Sequence, residues 1–141
     1  MVNIALIGYG KMGQIIEKTA LDKGHKIVAI IDPNVDSCES EINKETLKDA
    51  DVCIEFTHPS VVIDNIKKVA QAGKNIVVGT TGWYDKMDEV KKIVNDNKIG
   101  LIWSGNFSVG VNALFRITEY AAKLFNKIED YDIAVNEIHH T

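Results

Sequence analysis

The feature that most constrains the fold of this chain is a glycine-rich turn close to its first residue. An apolar run over residues 2–7 is followed by Gly8, Gly10 and Gly13, spaced as G-x-G-x-x-G, and then by a helical pattern. In such a turn the first glycine permits a tight bend, the second lets a pyrophosphate approach the backbone, and the third lets the helix pack closely on the strand. Free N–H groups and the positive end of the helix dipole then face the phosphates. The turn therefore predicts a dinucleotide-binding site, and the alternative is an ordinary Gly-rich turn between strand and helix.

Short apolar runs and helical patterns alternate along most of the 141 residues. The predicted strands are residues 2–7, 26–31, 51–56, 75–78 and 99–103. The predicted helices are residues 11–23, 59–72, a third that Asp85 caps, and 109–126. Continuous apolar runs are typical of parallel strands buried on both faces, and their alternation with helices indicates βαβ units. The sequence thus predicts an α/β fold with a Rossmann-type, doubly wound parallel sheet.

An acidic residue, Asp32, ends the second predicted strand, about twenty residues beyond the glycine turn as dinucleotide sites require. A carboxylate there can accept hydrogen bonds from both ribose hydroxyls of an adenosine, and it would repel a 2′-phosphate. The alternative is an aspartate that serves the turn at Pro33. Lys11 could meet a 2′-phosphate or the pyrophosphate, or it could be a solvated lysine. The choice between NADH and NADPH therefore stays open.

Three further loops follow predicted strands, at the edge of the sheet where ligands bind in such folds. Thr57 and His58 follow the third strand, and the ordinary role of a loop or cap residue is favoured for His58. The segment Gly79-Thr80-Thr81-Gly82 could approach and orient a ligand, or form a plain turn. Residues 104–108 follow the fifth strand, and Phe107 could lie against a flat ring or belong to the core.

The last segment of the chain has a different pattern. Residues 131–138 alternate apolar and polar side chains with a period of two, which predicts a half-exposed strand in a different sheet. His139 and His140 follow, and neighbours on an extended chain point in opposite directions. Spacing alone therefore favours two exposed histidines over a metal site.

The composition excludes several classes of function. With 20 acidic and 16 basic residues, the net charge is −4 and there is no basic stripe, so we expect no nucleic-acid partner. Apolar runs fall short of the ~20 residues that span a bilayer. The first predicted strand begins so close to Met1 that it leaves no room for a signal peptide. Cys38 and Cys53 lack metal-ligand spacing and indicate free thiols, with a disulfide as the alternative. We expect a cytoplasmic protein with no metal and no membrane contact.

Four segments carry a resemblance to a known family, and they occur in the family's order. They are Gly8-Tyr9-Gly10-Lys11-Met12-Gly13, Gly79-Thr80-Thr81-Gly82, Asn106-Phe107-Ser108-Val109-Gly110-Val111-Asn112 and Glu137-Ile138-His139-His140. With them the chain resembles dihydrodipicolinate reductase, also called 4-hydroxy-tetrahydrodipicolinate reductase, of lysine and diaminopimelate biosynthesis. The resemblance implies an NADH- or NADPH-dependent reduction of a cyclic dicarboxylate, in which hydride passes from the nicotinamide to the ring and an enzyme group supplies a proton.

The resemblance also implies roles for particular residues. The implied cofactor contacts are Gly8, Tyr9, Gly10, Lys11, Met12 and Gly13 at the pyrophosphate, Asp32 at the adenosine ribose, and Gly79, Thr80, Thr81, Ser104, Gly105, Asn106 and Phe107 on the nicotinamide side. His139 is similar to the family's proton donor, which reverses the conclusion from spacing, because a histidine titrates near neutrality. His140 and Thr81 are the implied substrate contacts.

The chain departs from the family pattern after the histidines. The family continues with a second catalytic residue, a lysine, and with a Ser-Gly-Thr segment that binds the substrate carboxylate, and this chain ends before both. The resemblance therefore implies a truncated reductase: residues 1–106 would be the dinucleotide-binding domain and 107–141 the start of an α+β substrate domain. We expect little or no turnover from these 141 residues. The family's tetramer, joined through substrate-domain sheets, implies a homo-oligomer.

Two other functions remain in view. A stand-alone NAD(P)-binding regulatory module would share the glycine turn and the predicted fold. A dehydrogenase of the aspartate or homoserine type would share the nucleotide domain, but the segment Glu137-Ile138-His139-His140 speaks against it.

Overall fold

The computed structural model describes residues 1–136, in which strands alternate with helices except that the second and third strands have no helix between them. In chain order the elements are β1 (Asn3–Ile7), α1 (Lys11–Asp22), β2 (Lys26–Ile31), β3 (Val52–Glu55), α2 (Val62–Gln71), β4 (Asn75–Val78), α3 (Met87–Asn97), β5 (Leu101–Trp103) and α4 (Val109–Phe125). The predicted strands at residues 26–31 and 75–78 match the observed bounds, and the other strands are shorter than predicted.

The five strands form one parallel sheet in the order β2-β1-β3-β4-β5. Ile7 pairs with Ile31 on one side and with Glu55 on the other, and Glu55 pairs in turn with Val78. The carboxyl ends of the four strands β1 to β4 are therefore level with one another. Because the strand order reverses between β1 and β3, a crevice opens there at the carboxyl edge. The prediction of a Rossmann-type α/β fold is confirmed.

The core lies on both faces of the sheet, because successive side chains of a strand point to opposite faces. Ala5 and Ile7 of β1 belong to the larger cluster and Ile4 and Leu6 to the smaller one. The larger cluster comprises Ala5, Ile7, Ile31, Leu47, Ala50, Cys53, Val62, Ile66, Val69, Ile76, Val78, Trp83 and Val90. It joins the sheet to α2 and α3, whereas the smaller cluster receives only Ala20 from α1 as a buried residue.

Two helices begin later than the sequence predicts. Residues 58–61 form a turn, in which the N–H of Val61 donates to the carbonyl of His58 over 3.0 Å, and α2 starts at Val62. A short 3₁₀ turn, Tyr84–Lys86, precedes α3, so Asp85 lies inside the turn and does not cap the helix. In both places the chain takes a tighter turn before it can continue as an α-helix.

Contacts within the chain define a first unit, Met1–Gly105, and a second unit that begins at Asn106. In the second unit α4 starts behind Ser108, whose hydroxyl accepts a hydrogen bond from the N–H of Val111 over 3.4 Å. The strand predicted over residues 131–138 is wrong for the residues that are described, because 131–136 form no strand. An extended segment needs a neighbouring strand for its N–H and C=O groups, and none pairs with it in residues 1–136. Over the same residues no helix combines the length and apolarity needed to cross a bilayer.

Candidate functional site

The glycine turn after β1 has three glycines with three different surroundings. Gly8 has a φ of +91°, and a Cβ added to it would lie 2.1 Å from the carbonyl oxygen of Phe56. A Cβ on Gly13 would lie 2.4 Å from the carbonyl oxygen of Gly8, so the start of the helix packs directly on the turn. A Cβ on Gly10 would meet no atom within 4 Å. The first and third glycines are thus required by packing, while the second borders open space.

Helix α1 begins at this open space without a side chain to cap it. Gly10 is its N-cap residue, its first turn carries no acidic side chain, and its first internal bond runs from the N–H of Gln14 to the carbonyl of Gly10 over 3.1 Å. Backbone N–H groups ahead of that bond are available to an anion, and the helix dipole adds positive potential. Lys11 and Met12 are exposed at this end. The uncapped helix and the open space beside Gly10 fit a diphosphate group.

A cleft of about 790 Å³ lies at the crevice between β1 and β3. This volume is in the range of small-molecule sites. Loops after β1, β2 and β3 and the start of α2 line it: Ile7, Gly8, Gly10, Ile31, Asp32, Pro33, Asn34, Ser40, Glu41, Ile42, Phe56, Thr57, His58, Val61, Asp64, Asn65 and Lys68. A second cavity of about 720 Å³ runs along the edge strand β2, and none of the predicted site residues lines it.

Asp32 lies in the cleft with both of its carboxylate oxygens engaged. One oxygen accepts the N–H of Tyr9 over 2.9 Å, and the other accepts the N–H of Asn34 over 2.9 Å. The hydrogen bond from Tyr9 is the main reason that the pKa of Asp32 lies below its ordinary value. The carboxylate is therefore ionised at neutral pH. The oxygen that binds Tyr9 keeps a lone pair for a further donor, whereas the other oxygen also accepts the side-chain amide of Asn34 over 3.3 Å. The turn role of Asp32 is thus present, and it leaves one oxygen able to accept a further hydrogen bond.

Tyr9 makes hydrogen bonds through both its backbone and its side chain. Its N–H binds Asp32, and its hydroxyl donates to the carboxylate of Glu17 on α1. The bond to Glu17 raises the pKa of the Tyr9 hydroxyl, so Tyr9 remains neutral at physiological pH. Tyr9 thus fixes the glycine turn to both β2 and α1, and it does not line the cleft.

The loop after β4 makes close contacts within the protein itself. A Cβ on Gly79 would lie 2.1 Å from the ring of Phe56, and Gly82, with a φ of +80°, faces the ring of Pro59. The absence of side chains at these two glycines is therefore needed for packing against the protein itself. Thr80 is buried, and its hydroxyl accepts the N–H of Thr57 over 2.7 Å. The loop residue with an exposed side chain hydroxyl is Thr81.

Two of the remaining predicted site residues, Ser104 and Gly105, belong to the first unit and do not line the cleft. Ser104 continues the sheet through its N–H, which donates to the carbonyl of Val78 over 3.3 Å, and Gly105 is exposed. Asn106 and Phe107 belong to the second unit, where the side-chain oxygen of Asn106 accepts the N–H of Ser108 over 2.8 Å. His139 and His140 lie outside the described residues.

Sequence reasoning underrated one wall of the cleft. Phe56, Thr57 and His58 follow β3 directly and line the cleft opposite the glycine turn. Their position after a strand was the available signal, and it became decisive only with the strand order that places β3 beside β1. Beneath them lies Glu55, which is fully buried and which the sequence showed only as a charge in an apolar run.

Comparisons with known proteins agree with this geometry. A family model described as "Dihydrodipicolinate reductase, N-terminus" matches residues 2–107. The chain is 35% identical to the 4-hydroxy-tetrahydrodipicolinate reductase of Christiangramia forsetii, covering 99% of this chain and 56% of that protein. It is 34% identical to the protein of the same name from Methanococcus aeolicus, covering 99% of this chain and 59% of the other.

Solved structures show the same relationship. A dipicolinate-bound dihydrodipicolinate reductase from Paenisporosarcina sp. TG-14 is similar with a TM-score of 0.70 and 26% identity, over 86% of this chain and 54% of that one. A probable oxidoreductase, yhhX, has a TM-score of 0.66 at 16% identity, which shows a shared fold only. The chain thus spans a little over half the length of the curated relatives that it matches.

Proposed function

This chain belongs to the dihydrodipicolinate reductase family, and on that premise we propose that its first unit binds NADH or NADPH in the cleft between β1 and β3. The observation that carries the proposal is the uncapped start of α1 beside the open space at Gly10. A nicotinamide cofactor is the ligand class of the family, and a diphosphate is the group that such a helix end accommodates.

Different residues bind different parts of the cofactor. Backbone N–H groups from Gly10 to Gly13 hold the diphosphate, and Lys11 adds a positive charge beside it. Asp32 accepts the ribose hydroxyls of the adenosine, first through the lone pair on the oxygen that binds Tyr9, and through the other oxygen where a hydroxyl replaces the longer bond from the side-chain amide of Asn34. The backbone of Gly79 to Thr81 and of Ser104 and Gly105 contacts the nicotinamide side, as do Asn106 and Phe107. The bound cofactor supplies hydride for reduction of a substrate ring.

The reaction of the whole protein is proposed from the family. It is the reduction of 4-hydroxy-tetrahydrodipicolinate to tetrahydrodipicolinate, a step of lysine and diaminopimelate biosynthesis. His139 gives the proton, and His140 and Thr81 contact the cyclic dicarboxylate. Because the chain spans little more than half of its relatives, we propose that these 141 residues bind cofactor with little turnover. Assembly into a homo-oligomer, a tetramer in the full-length family, and a cytoplasmic location complete the proposal.

Calorimetric titration with NADH and with NADPH tests cofactor binding, and Gly10→Val makes the test specific. Gly10 has an extended conformation, with φ −74° and ψ −160°, so a valine fits the backbone and projects into the open space. We expect this variant to melt like the wild type and to lose affinity by about tenfold or more, since the phosphates can no longer approach.

Lys18→Ala is the matched control, because Lys18 is an exposed residue of the same helix and does not line the cleft. It should leave both melting temperature and affinity unchanged. A wild-type chain that binds neither cofactor, or a Gly10→Val variant that binds as tightly as the wild type, would overturn the proposed site.

A further inference from the structure

We infer that Glu55 is a positioning residue for the cofactor cleft: its buried carboxyl group fixes the loops after β3 and β4 to helix α2 as one wall. The inference rests on the proposed cofactor binding and goes beyond it, since Glu55 does not line the cleft. No part of its side chain is exposed.

The position of Glu55 in the sheet is central. It is the last residue of β3, it pairs with Ile7 of β1 and with Val78 of β4, and its carbonyl accepts the N–H of Gly79 over 2.9 Å. Both the loop after β3, which lines the cleft, and the loop after β4 therefore leave the sheet at its level. A side chain at this point can reach the first residues of each loop.

One carboxylate oxygen of Glu55 gathers donors from two elements. It accepts from the hydroxyl of Thr57, in the loop after β3, and from the side-chain amide of Asn65, on α2, over 3.2 Å. The same amide lies 3.2 Å from the hydroxyl of Thr57. Thr57 and Asn65 line the cleft. The carboxyl group thus fixes two lining residues without touching the ligand.

Thr80 extends this arrangement to the loop after β4. Its hydroxyl oxygen accepts the N–H of Thr57 over 2.7 Å, which leaves its hydrogen free to act as a donor. Thr57 in turn donates its hydroxyl to Glu55. The loop after β4 is therefore joined to the loop after β3, and through Thr57 to the buried acid.

Burying a carboxyl group at this position costs free energy of desolvation. Burial raises the pKa of Glu55 above its ordinary value, and the hydroxyls of Thr57 and Thr80 and the amide of Asn65 offset part of that shift. The second carboxylate oxygen has no hydrogen-bond partner within residues 1–136. An apolar side chain of similar size would avoid this penalty, as buried ionic groups replaced by apolar ones often show. Stability therefore does not account for the acid, whereas alignment of Thr57 and Asn65 does.

The test compares Glu55→Leu, Glu55→Gln and Cys53→Ala in the complete 141-residue chain. For each variant, NADH affinity is measured by calorimetry well below the melting temperature, and the melting temperature is measured separately. Cys53 is the matched control, because it is fully buried on the same face of the same strand, two residues earlier, and contacts none of these loops through a hydrogen bond in the described residues.

We expect Glu55→Leu to fold and to bind NADH about tenfold more weakly or worse, because the lining residues lose their common acceptor. Glu55→Gln keeps one acceptor oxygen and should recover most of that loss. Cys53→Ala should lower the melting temperature through a small cavity and leave affinity unchanged. If Glu55→Leu fails to fold, Thr80→Val replaces it, since Thr80 is buried and does not line the cleft.

The failure of this inference is distinct from the failure of the proposed function. A wild-type chain that binds no cofactor removes both. A wild-type chain that binds, together with a folded Glu55→Leu or Thr80→Val variant of equal affinity, removes the inference alone. Equal losses of affinity in Glu55→Leu and Cys53→Ala would likewise make the role of Glu55 merely structural and overturn it.

Discussion

The two walls of the cleft are built from similar sequences and hold their shape by different means. One wall is the glycine turn after β1, where Gly10 borders open space and the start of α1 is uncapped. The other is the loop after β3, with the loop after β4 packed behind it. There the ring of Phe56 fills the space beside Gly79, and the side chains of Thr57 and Asn65 converge on Glu55. The first wall leaves open space beside its backbone, whereas the glycines and hydroxyls of the second are engaged in packing and hydrogen bonds within the protein. Glycines in similar loops after parallel strands can therefore be required either by open space or by internal packing.

The largest effect is expected from Gly8→Ala, which changes the contact between the glycine turn and Phe56 of the second wall. The added methyl group would lie 2.1 Å from the carbonyl oxygen of Phe56, and the φ of +91° is unfavourable for alanine. Strain and overpacking together should lower the free energy of unfolding by about 3 kcal/mol or more. Urea denaturation measures it, and a loss below about 1 kcal/mol would show that the turn can relax.

A smaller loss is expected from Gly79→Ala, which tests whether the second wall packs on itself. The added methyl group overlaps the ring of Phe56 at 2.1 Å, a contact that can yield by ring movement, so we expect about 2 kcal/mol. Phe56→Leu removes the overlapping ring atoms. If packing is the reason for the glycine, Gly79→Ala should cost less in the Phe56→Leu background than in the wild type, as a double-mutant cycle in urea reports. Equal costs in both backgrounds would show that packing against Phe56 is not the reason for the glycine.

Asp32→Asn tests the proposal that the first wall sets the preference between NADH and NADPH. Asparagine keeps an oxygen for the N–H of Tyr9 and removes the negative charge that would repel a 2′-phosphate. We expect the ratio of NADPH to NADH affinity to rise about fivefold, close to 1 kcal/mol, with the two cofactors titrated side by side. An unchanged ratio would assign the preference to other groups, Lys11 first among them.

The smallest effect is a difference in pH dependence between the acids of the two walls. Burial raises the pKa of Glu55 above 4.5, so the folded state keeps a proton that the unfolded state has lost as pH rises above that value. The free energy of unfolding should therefore fall with rising pH through this window, by at most about 1.4 kcal/mol per pH unit, and Glu55→Gln should lack this slope.

Asp32 should behave in the opposite way. The hydrogen bond from Tyr9 lowers its pKa below 3.8, so its contribution to stability is present above that value and is lost as pH falls through the lowered pKa. Urea denaturation of wild type, Glu55→Gln and Asp32→Asn across the acid range separates the two slopes. A wild-type profile that Glu55→Gln does not change would show that Glu55 titrates normally.

Local patterns were sufficient to predict much of the first wall. The apolar run, the three glycines and the acid after β2 lie within one βαβ unit, so their relations are fixed by chain geometry. The bounds of β2 and β4 were also predictable, because each is a short apolar run between polar residues. Such features depend on neighbours in sequence.

The packing of the second wall depends on residues that are distant in sequence, which is why local patterns did not predict it. The need for glycine at position 79 comes from Phe56, and the burial of Glu55 comes from the pairing of β3 between β1 and β4. The predicted strand over residues 131–138 failed in its described part for a related reason, because alternation specifies a face and provides no partner strand.

The side chain of Phe56 closes the space beside Gly79 while its carbonyl group closes the space beside Gly8. A single residue therefore restricts which amino acids evolution can place at two glycines that lie 71 positions apart in the chain. Substitutions at position 79 should appear among relatives in step with smaller side chains at position 56, while position 8 should be insensitive to them, because a main-chain oxygen is present whatever residue supplies it.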